Sequence, residues 1–175
     1  VNVDFGKDET TLAKRYLLSQ LMAPISTAIF ANSPFIDGKK TEYKSFRSVT
    51  WRKSDDSRTG FPDLKGVVQK MDKKSCVDSY VEYALNAKVV FIEALDYEVP
   101  DSLTFRRWSE EGFKGVFPSQ KDFETHLTLL FPEVRPKGFI EFRSIDCQAE
   151  AWQSVPAAFY CGILYDEKAT DDALE

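Results

Sequence analysis

The sequence predicts an α+β fold whose sheet is largely antiparallel. Short segments with period-two alternation, the pattern of a strand with one apolar face, stand near the start and near the end of the 175-residue chain. Helical stripes and irregular segments separate them, without the regular strand–helix repetition of a parallel sheet. The chain has no internal repeat and is short enough for a single domain, residues 1–175.

The first half of the chain predicts one strand, one long helix and an irregular segment. Residues 1–5 alternate apolar and polar side chains, as a strand does. Asp8 is a suitable N-cap for a helix whose apolar stripe runs from Leu12 to Ile29, and Pro24 predicts a kink or break within it. Residues 32–66 are polar, rich in proline and glycine, and without a helical stripe. Their aromatic residues and arginines favour an ordered binding loop over a disordered one.

The second half predicts further helices and strands from capping boxes, alternation and continuous apolar segments. In order, they are a helix after the capping-box pair Ser75 and Asp78, a strand near 89–94, a short helix at 104–111, a helix after the pair Ser119 and Asp122, a strand at 139–145 and a buried helix at 152–165.

Composition excludes several classes of function. The net charge is −5 and basic residues are scattered among acids, which argues against nucleic-acid binding. The longest apolar stretch, residues 156–165, is about half the length that a bilayer crossing needs, so we expect no membrane partner and a cytoplasmic location. Cys76, Cys147 and Cys161 are odd in number and widely spaced, which indicates neither a disulfide framework nor a zinc site. The chain begins without methionine inside a predicted strand, so we expect a fragment of a larger domain.

The strand at 139–145 is the most informative candidate site. Alternation places Glu141 and Arg143 on one face and Ile140 with Phe142 on the other. The charged face either meets water on a half-buried strand, or supplies a carboxylate for a hard cation and a guanidinium for phosphate. A polar face from Asn2 on the first strand would favour the second interpretation if both strands share a sheet.

Two other segments contain candidate ligand contacts. Arg58 lies seven residues after Trp51 and either binds a substrate carboxylate in two-point fashion or is exposed in a mobile loop. Asn32 and Ser33 form either a simple turn or a backbone cradle near a ligand. His126 lies on an apolar helical stripe, and we interpret it as a buried structural residue. The sequence contains no Walker-type phosphate loop, so any ATP site uses other elements.

A set of segments in a fixed order carries a family resemblance. They are residues 1–5, 28–35, 47–48 with Trp51, 58–60, 80–85, 126–128, 131–135, 141–143 and 162–166. Together they cover nearly the whole chain and resemble the plant-type glutamate–cysteine ligases, a family of plants and many bacteria.

The resemblance implies part of a strongly curved, antiparallel, glutamine-synthetase-like catalytic sheet that uses ATP and Mg²⁺. It implies that ATP phosphorylates the γ-carboxylate of glutamate and that the amine of cysteine then displaces phosphate. The implied roles are glutamate binding by Arg47, Trp51 and Arg58, catalysis by Glu141 and Arg143, magnesium binding by Glu141, and nucleotide contacts by Asn2, Asn32 and Ser33.

Departures from the family pattern leave three points open. Residues 88–90 read Lys-Val-Val where the family usually has Pro-Met-Tyr, so another amine acceptor is an alternative to cysteine. The glutamate-rich metal ligands of the family would lie upstream of Val1, so we expect the fragment to be inactive alone. A non-catalytic binding module that retains the fold is the alternative from another class. A plant source would change the expected location from the cytoplasm to the plastid, and the sequence does not indicate an oligomeric state.

Overall fold

A computed structural model describes residues 1–96 and 98–175 of the chain. Its elements are β1 (Asn2–Val3), α1 (Glu9–Ile29), β2 (Phe35–Ile36), β3 (Lys39–Lys40), α2 (Phe46–Arg52), α3 (Asp56–Thr59), α4 (Lys65–Lys70), α5 (Lys73–Asn86), a 3₁₀ turn (Glu93–Leu95), α6 (Phe105–Glu111), α7 (Gln120–Thr128), β4 (Val134–Pro136), β5 (Ile140–Phe142), a second 3₁₀ turn (Glu150–Trp152), α8 (Val155–Leu164) and α9 (Glu167–Leu174).

The central sheet confirms the predicted α+β class. Its strands are antiparallel in the order β1-β5-β4, so the strands predicted at residues 1–5 and 139–145 are neighbours. One face of this sheet packs on α1 and α8 and is dry. The side chains of this core are Val3, Leu18, Met22, Ala23, Val134, Ile140, Phe142, Tyr160 and Leu164.

Helix α1 begins as predicted but does not break. The Asp8 carboxylate accepts a hydrogen bond from the N–H of Thr11 at 2.7 Å, which satisfies one of the free donors at the helix start. The helix then continues through Pro24 to Ile29, so the predicted break is wrong. Met22 and Ala23 are buried beside the proline, and this packing stabilises the helix where its hydrogen-bond ladder is interrupted.

The segment at 32–66 is more regular than predicted. It contains the β2–β3 hairpin and the helices α2 and α3, so Trp51 lies on a helix. The hydroxyl of Ser45 caps α2 by accepting a hydrogen bond from the N–H of Ser48 at 3.2 Å. A helix of seven residues is too short to show an apolar stripe, which is why the sequence pattern missed it.

The capping and strand predictions of the second half had mixed outcomes. The capping box at Ser119 and Asp122 is confirmed, with both reciprocal hydrogen bonds present. The one predicted at Ser75 is wrong, because Asp72 caps α5 and accepts from the N–H of Ser75 at 2.7 Å. The strand predicted at 89–94 is also wrong, because Val89 and Ile92 are buried in a cluster with α6 and, within the described residues, the segment forms only an isolated bridge, between Lys88 and Thr104.

The last predicted helix exists in a shorter form, but the prediction that it is buried is wrong. Only one side of it is buried, at Pro156, Tyr160 and Leu164, and the opposite side is exposed. Helix α8 begins at Val155, and Pro156 lies in its first turn, where the missing N–H costs nothing. Among the described residues, no helix combines the length and the apolar character that a membrane crossing requires.

Candidate active site

The outer face of the central sheet carries four charged side chains, two arginines and two glutamates, in which each arginine lies opposite a glutamate. Arg135 of β4 lies directly opposite Glu141 of β5. The same register sets Glu133 opposite Arg143, and the N–H of Arg143 donates to the Glu133 carbonyl at 2.8 Å. Because side chains alternate along a strand, all four project from the face opposite the dry core. The prediction that Glu141 and Arg143 project from one face of the strand and Ile140 from the other is confirmed.

The first of these pairs is closed. Arg135 donates from Nε to Oε2 of Glu141 at 2.6 Å and from Nη1 to the carbonyl of Leu130 at 3.2 Å. The Arg135 side chain is 8% exposed and that of Glu141 25%. This hydrogen bond is the main reason why the pKa of Glu141 lies below its ordinary value. Asn2 faces Glu141 from the other neighbouring strand, so Asn2, Glu141 and Arg135 form one row across the sheet.

The second pair is open. The guanidinium carbon of Arg143 lies 5.5 Å from the ring centroid of Trp51 and 5.3 Å from that of Phe131. These two rings stack on each other with centroids 5.3 Å apart. Within the part of the chain that the structure describes, the Arg143 guanidinium donates no hydrogen bond and forms no ion pair, and Glu133 does not close on it.

A surplus of positive charge surrounds this open pair. Arg47 donates from Nη2 to the main-chain carbonyl of Arg143, and its charge lies close enough to act on the Arg143 guanidinium. Burial raises the pKa of Glu133, although the charges of Arg47, Arg143 and Arg52 favour its ionised form. Burial also lowers the pKa of Arg143, and the charge of Arg135 adds to that effect. This surface can bind an anion through guanidinium donors.

We call this surface the arginine face and define it by Arg47, Trp51, Phe131, Glu133 and Arg143. Helix α2 supplies Arg47 and Trp51, and the segment before β4 supplies Phe131 and Glu133. The structure therefore brings together three residues that the sequence singled out, Arg47, Trp51 and Arg143.

Asp146 is a functional candidate that the sequence reasoning missed. Its carboxylate is 3% exposed and accepts hydrogen bonds from the N–H of Asn32 at 2.8 Å, the hydroxyl of Ser33 at 2.7 Å and the hydroxyl of Ser45 at 3.0 Å. Asn32 also donates its side-chain amide to the carbonyl of Cys147 at 2.8 Å. Asn32 and Ser33 therefore hold a carboxylate of the chain itself, and the ligand contact predicted for them stays a prediction.

The sequence did contain a signal for Asp146. Residues 140, 142 and 144 lie on the buried side of the alternation that β5 begins, and position 146 has the same parity. A carboxylate on the buried side of this alternation requires hydrogen-bond donors from elsewhere in the fold. The missing information was which segments provide them.

Arg58 is enclosed, so the alternative of an exposed arginine in a mobile loop is wrong. Its side chain is 10% exposed, and it donates from Nη2 to the carbonyl of Leu129. Its Nε lies 3.9 Å from the carboxylate of Asp55. Nη1 has no hydrogen-bond partner among the described residues. Burial lowers the pKa of the guanidinium.

A cavity of about 710 Å³ lies beside Arg58. Its lining includes Arg52 at the end of α2 and the segment Lys88, Val89 and Val90. This is the segment in which the sequence departs from the family pattern. The departure therefore lies next to a residue predicted to bind substrate.

The oxygen ligands for Mg²⁺ are of suitable chemistry but too few. Oε2 of Glu141 is bound to Arg135, whereas Oε1 accepts no hydrogen bond from the described residues. The amide of Asn2 is its neighbour across the sheet. No group of three or more His, Cys, Asp or Glu side chains in residues 1–96 and 98–175 is placed to hold a metal ion. Since Mg²⁺ prefers six oxygen ligands, these residues fit as part of a site only.

His126 has the structural role that the sequence predicted. It is 4% exposed, and its Nε2 donates to the carbonyl of Ala84 at 2.8 Å. Its ring packs on Phe105 with centroids 4.7 Å apart. The histidine thus joins α7 to α5.

Comparisons with known proteins agree with the resemblance seen in the sequence. The chain matches glutamate-cysteine ligase family 2 over residues 1–175. It is 35% identical to a chloroplastic glutamate–cysteine ligase of Solanum lycopersicum, over 100% of this chain and 33% of the relative. It is also 35% identical to that of Arabidopsis thaliana, over 100% of this chain and 32% of the relative. The chain thus spans about a third of the length of the curated relatives it matches.

Proposed function

Because the chain belongs to glutamate-cysteine ligase family 2, we propose that it is part of an ATP-dependent ligase that joins glutamate to cysteine. The γ-carboxylate oxygen of glutamate attacks the γ-phosphorus of ATP, and ADP leaves. The amine of cysteine then attacks the resulting acyl phosphate, phosphate leaves with the bonding electrons, and the amine releases one proton. The product is γ-glutamylcysteine, the first intermediate of glutathione synthesis.

The observation that best supports this proposal is the open guanidinium of Arg143. A guanidinium that rests against two aromatic rings and has no acceptor among the described residues keeps its donors available for a ligand. Phosphate and carboxylate match its planar donor geometry. In the proposed reaction Arg143 stabilises the negative charge that grows on the transferred phosphoryl oxygens.

Glutamate binding is assigned to the surroundings of Arg143. Trp51 covers one side of the arginine face, and Arg47 adds a second positive charge there. Arg58 lies behind Phe131, with its guanidinium carbon 5.9 Å from that ring centroid, and its partnerless Nη1 is the group proposed to hold a carboxylate. The cavity beside Lys88 is the proposed acceptor region, and its chemistry determines which amine is accepted.

Nucleotide and metal binding belong to the row at the other end of β5. When bound there, Mg²⁺ would neutralise phosphate charge, and Oε1 of Glu141 is the ligand this chain would offer. Asn2 lies in this row, whereas Asn32 and Ser33 hold Asp146 beside Arg47. The nucleotide contacts of Asn2, Asn32 and Ser33 remain predictions. We propose that the other metal ligands lie outside this chain and that the central sheet is the edge of a larger, curved, glutamine-synthetase-like sheet. On this proposal residues 1–175 form part of one catalytic domain and are inactive alone.

The location follows the source of the protein. The plant relatives are named as chloroplastic enzymes, so a plant source would assign this protein to the plastid and another source to the cytoplasm. Fractionation of the source cells with an antibody to the chain tests this assignment.

The decisive experiment is an assay of the full-length protein that contains this chain. With glutamate, cysteine and magnesium-ATP we expect γ-glutamylcysteine, ADP and phosphate in equal amounts. A panel of other amines in place of cysteine defines the acceptor. If another amine gives product and cysteine gives none, the assignment is contradicted. Calorimetry with magnesium-ATP separates an enzyme from a binding module, because a module without a nucleotide site would give no metal-dependent heat.

A further inference from the structure

The buried carboxylate of Asp146 connects segments that are distant in sequence. Its donors come from Asn32 and Ser33 in the segment that follows α1, and from Ser45 at the start of α2. These segments enclose the hairpin of β2 and β3. An isolated buried carboxylate is unfavourable, and three charge-assisted hydrogen bonds offset that cost. The arrangement therefore fixes how the chain enters α2.

Asp146 also contacts the arginine face directly. Oδ1 lies 3.6 Å from Nη1 of Arg47, an ion pair that is longer than a hydrogen bond. The other terminal nitrogen of Arg47 donates to the carbonyl of Arg143. Arg47 is thus held on one side by a buried charge and on the other by the main chain of the strand that carries the open guanidinium.

We infer that Asp146 is a positioning residue that holds Arg47 against β5 and keeps the guanidinium groups of Arg47 and Arg143 on one surface. Two guanidinium groups repel each other, so their proximity requires a compensating negative charge. Glu133 supplies part of that charge on the outer surface, and Asp146 supplies a second negative charge from the buried side, where it does not block that surface. The same carboxylate holds Ser45, the cap of α2, and α2 also carries Trp51.

The inference rests on the proposed function for its kinetic readout, since the anion bound at the arginine face would be the phosphoryl group or the substrate carboxylate. Asp146 touches neither in this arrangement and acts through Arg47. The specific consequence is that its contribution to catalysis depends on Arg47 being present.

A double-mutant cycle on the full-length protein tests this dependence. Asp146→Asn keeps the shape of the side chain but removes its charge, and we expect kcat/KM for glutamate to fall about tenfold, as for other residues coupled in one network. Arg47→Ala should give a fall of about the same size. The double variant should be no slower than Arg47→Ala, because the residue through which Asp146 acts is already absent. Independent, multiplying losses would overturn the inference.

A matched control separates positioning from simple stabilisation. Asp72 is half-buried, caps α5 and has no contact with the arginine face among the described residues. Asp72→Asn should lower the melting temperature and leave kcat and KM unchanged. If Asp146→Asn does not fold, Ser33→Ala removes one donor to Asp146 and leaves the cap of α2 in place, and we expect a loss of about threefold that disappears in the Arg47→Ala background. Persistence of the loss in that background would count against the inference.

A binding measurement distinguishes failure of this inference from failure of the proposed function. Calorimetry with inorganic phosphate reports on the arginine face without turnover. If the full-length protein forms no γ-glutamylcysteine but binds phosphate, the proposed function fails, and the same cycle is read from the dissociation constants. Weaker binding by about tenfold in Asp146→Asn and in Arg47→Ala, without further loss in the double variant, supports positioning. If the unmodified protein forms no product and also binds no phosphate, both the proposed function and this inference are overturned.

Discussion

Two pairs of opposite charges lie side by side, one on β4 and β5 and the other just beyond the ends of these strands, and only one of the pairs is closed. Arg135 and Glu141 meet at 2.6 Å, whereas Glu133 and Arg143 face each other without an ion pair within the described part of the chain. The sequence alternation is the same for both. Their neighbours are what differ.

The neighbours explain the outcome in physical terms. Arg135 is enclosed and also donates to the carbonyl of Leu130, so its geometry is fixed from two sides. Arg143 instead lies over the rings of Trp51 and Phe131, which attract a cation without using its hydrogen-bond donors. A closed pair mainly contributes to stability, while an open guanidinium on an aromatic platform remains available for a ligand. Replacing Arg135 and Arg143 by alanine, one at a time, should separate the contribution to stability from the contribution to ligand binding.

The largest expected effect on stability comes from Arg135→Ala. The change leaves Glu141 partly buried without its partner and also removes the bond to Leu130, so we expect the free energy of unfolding to fall by about 3 kcal/mol. This is near the lower end for a broken buried pair because Glu141 keeps a quarter of its side chain exposed. Urea denaturation of the full-length protein measures it. A fall below about 0.5 kcal/mol would mean that the closed pair contributes no more than a surface pair.

Arg143→Ala should give the opposite profile. We expect kcat to fall about 10²- to 10³-fold, the usual cost of removing one preorganised donor to a developing charge. Stability should fall by only about 1 kcal/mol, because the variant lacks only the packing of the guanidinium against two rings. Steady-state kinetics and urea denaturation on the same preparation measure both. Arg107→Ala is the control, since Arg107 is exposed and pairs with Glu111 on α6, and its kinetic constants should not change.

Arg58→Ala should affect substrate binding more than the chemical step. If Nη1 holds the carboxylate of glutamate, KM for glutamate rises about tenfold while kcat stays within a factor of about two. Stability falls as well, by about 1 to 3 kcal/mol, because the carbonyl of Leu129 loses its donor. Arg106→Ala, which removes an ion pair to Glu82 away from the arginine face, is the control. A fall in kcat at constant KM would exchange the roles given to Arg58 and Arg143.

The same comparison shows how far the sequence alone reaches. Alternation in β5 correctly separated Glu141 and Arg143 from the buried residues, because a strand has a fixed period of two. It could not show that Arg135 would close on Glu141, since that requires knowing the neighbouring strand and its register. The family resemblance contained residues 131–135 but gave Arg135 no role.

Helical segments show a second limit. The helix at 104–111 and the capping box at Ser119 were predictable from local sequence, because caps and stripes are local. Helix α2 was missed because it is too short to show an apolar stripe, and the contact that holds its cap, from Ser45 to Asp146, joins residues far apart in sequence. The placement of Trp51 and Arg47 on the arginine face follows from that long-range contact.

The smallest expected effect is the pH dependence of stability. It sets the buried His126 against Glu133 of the arginine face. Burial, reinforced by the charge of Arg58, lowers the pKa of His126 below its ordinary 6.5. The unfolded chain then binds the proton first, so stability is full above about pH 6.5 and falls as the pH drops towards the lowered pKa. Glu133 has the opposite sign, because its raised pKa means that folding favours the neutral acid.

His126 is the only histidine in the sequence, which makes the test direct. His126→Gln keeps a donor for the carbonyl of Ala84 and should cost about 1 kcal/mol at pH 8. Melting temperatures between pH 8 and pH 5.5 should fall more steeply for the unmodified protein than for the variant. Parallel curves would show that His126 does not stay neutral in the folded state. A curve for the unmodified protein that rises as the pH drops would instead assign the main titration to Glu133.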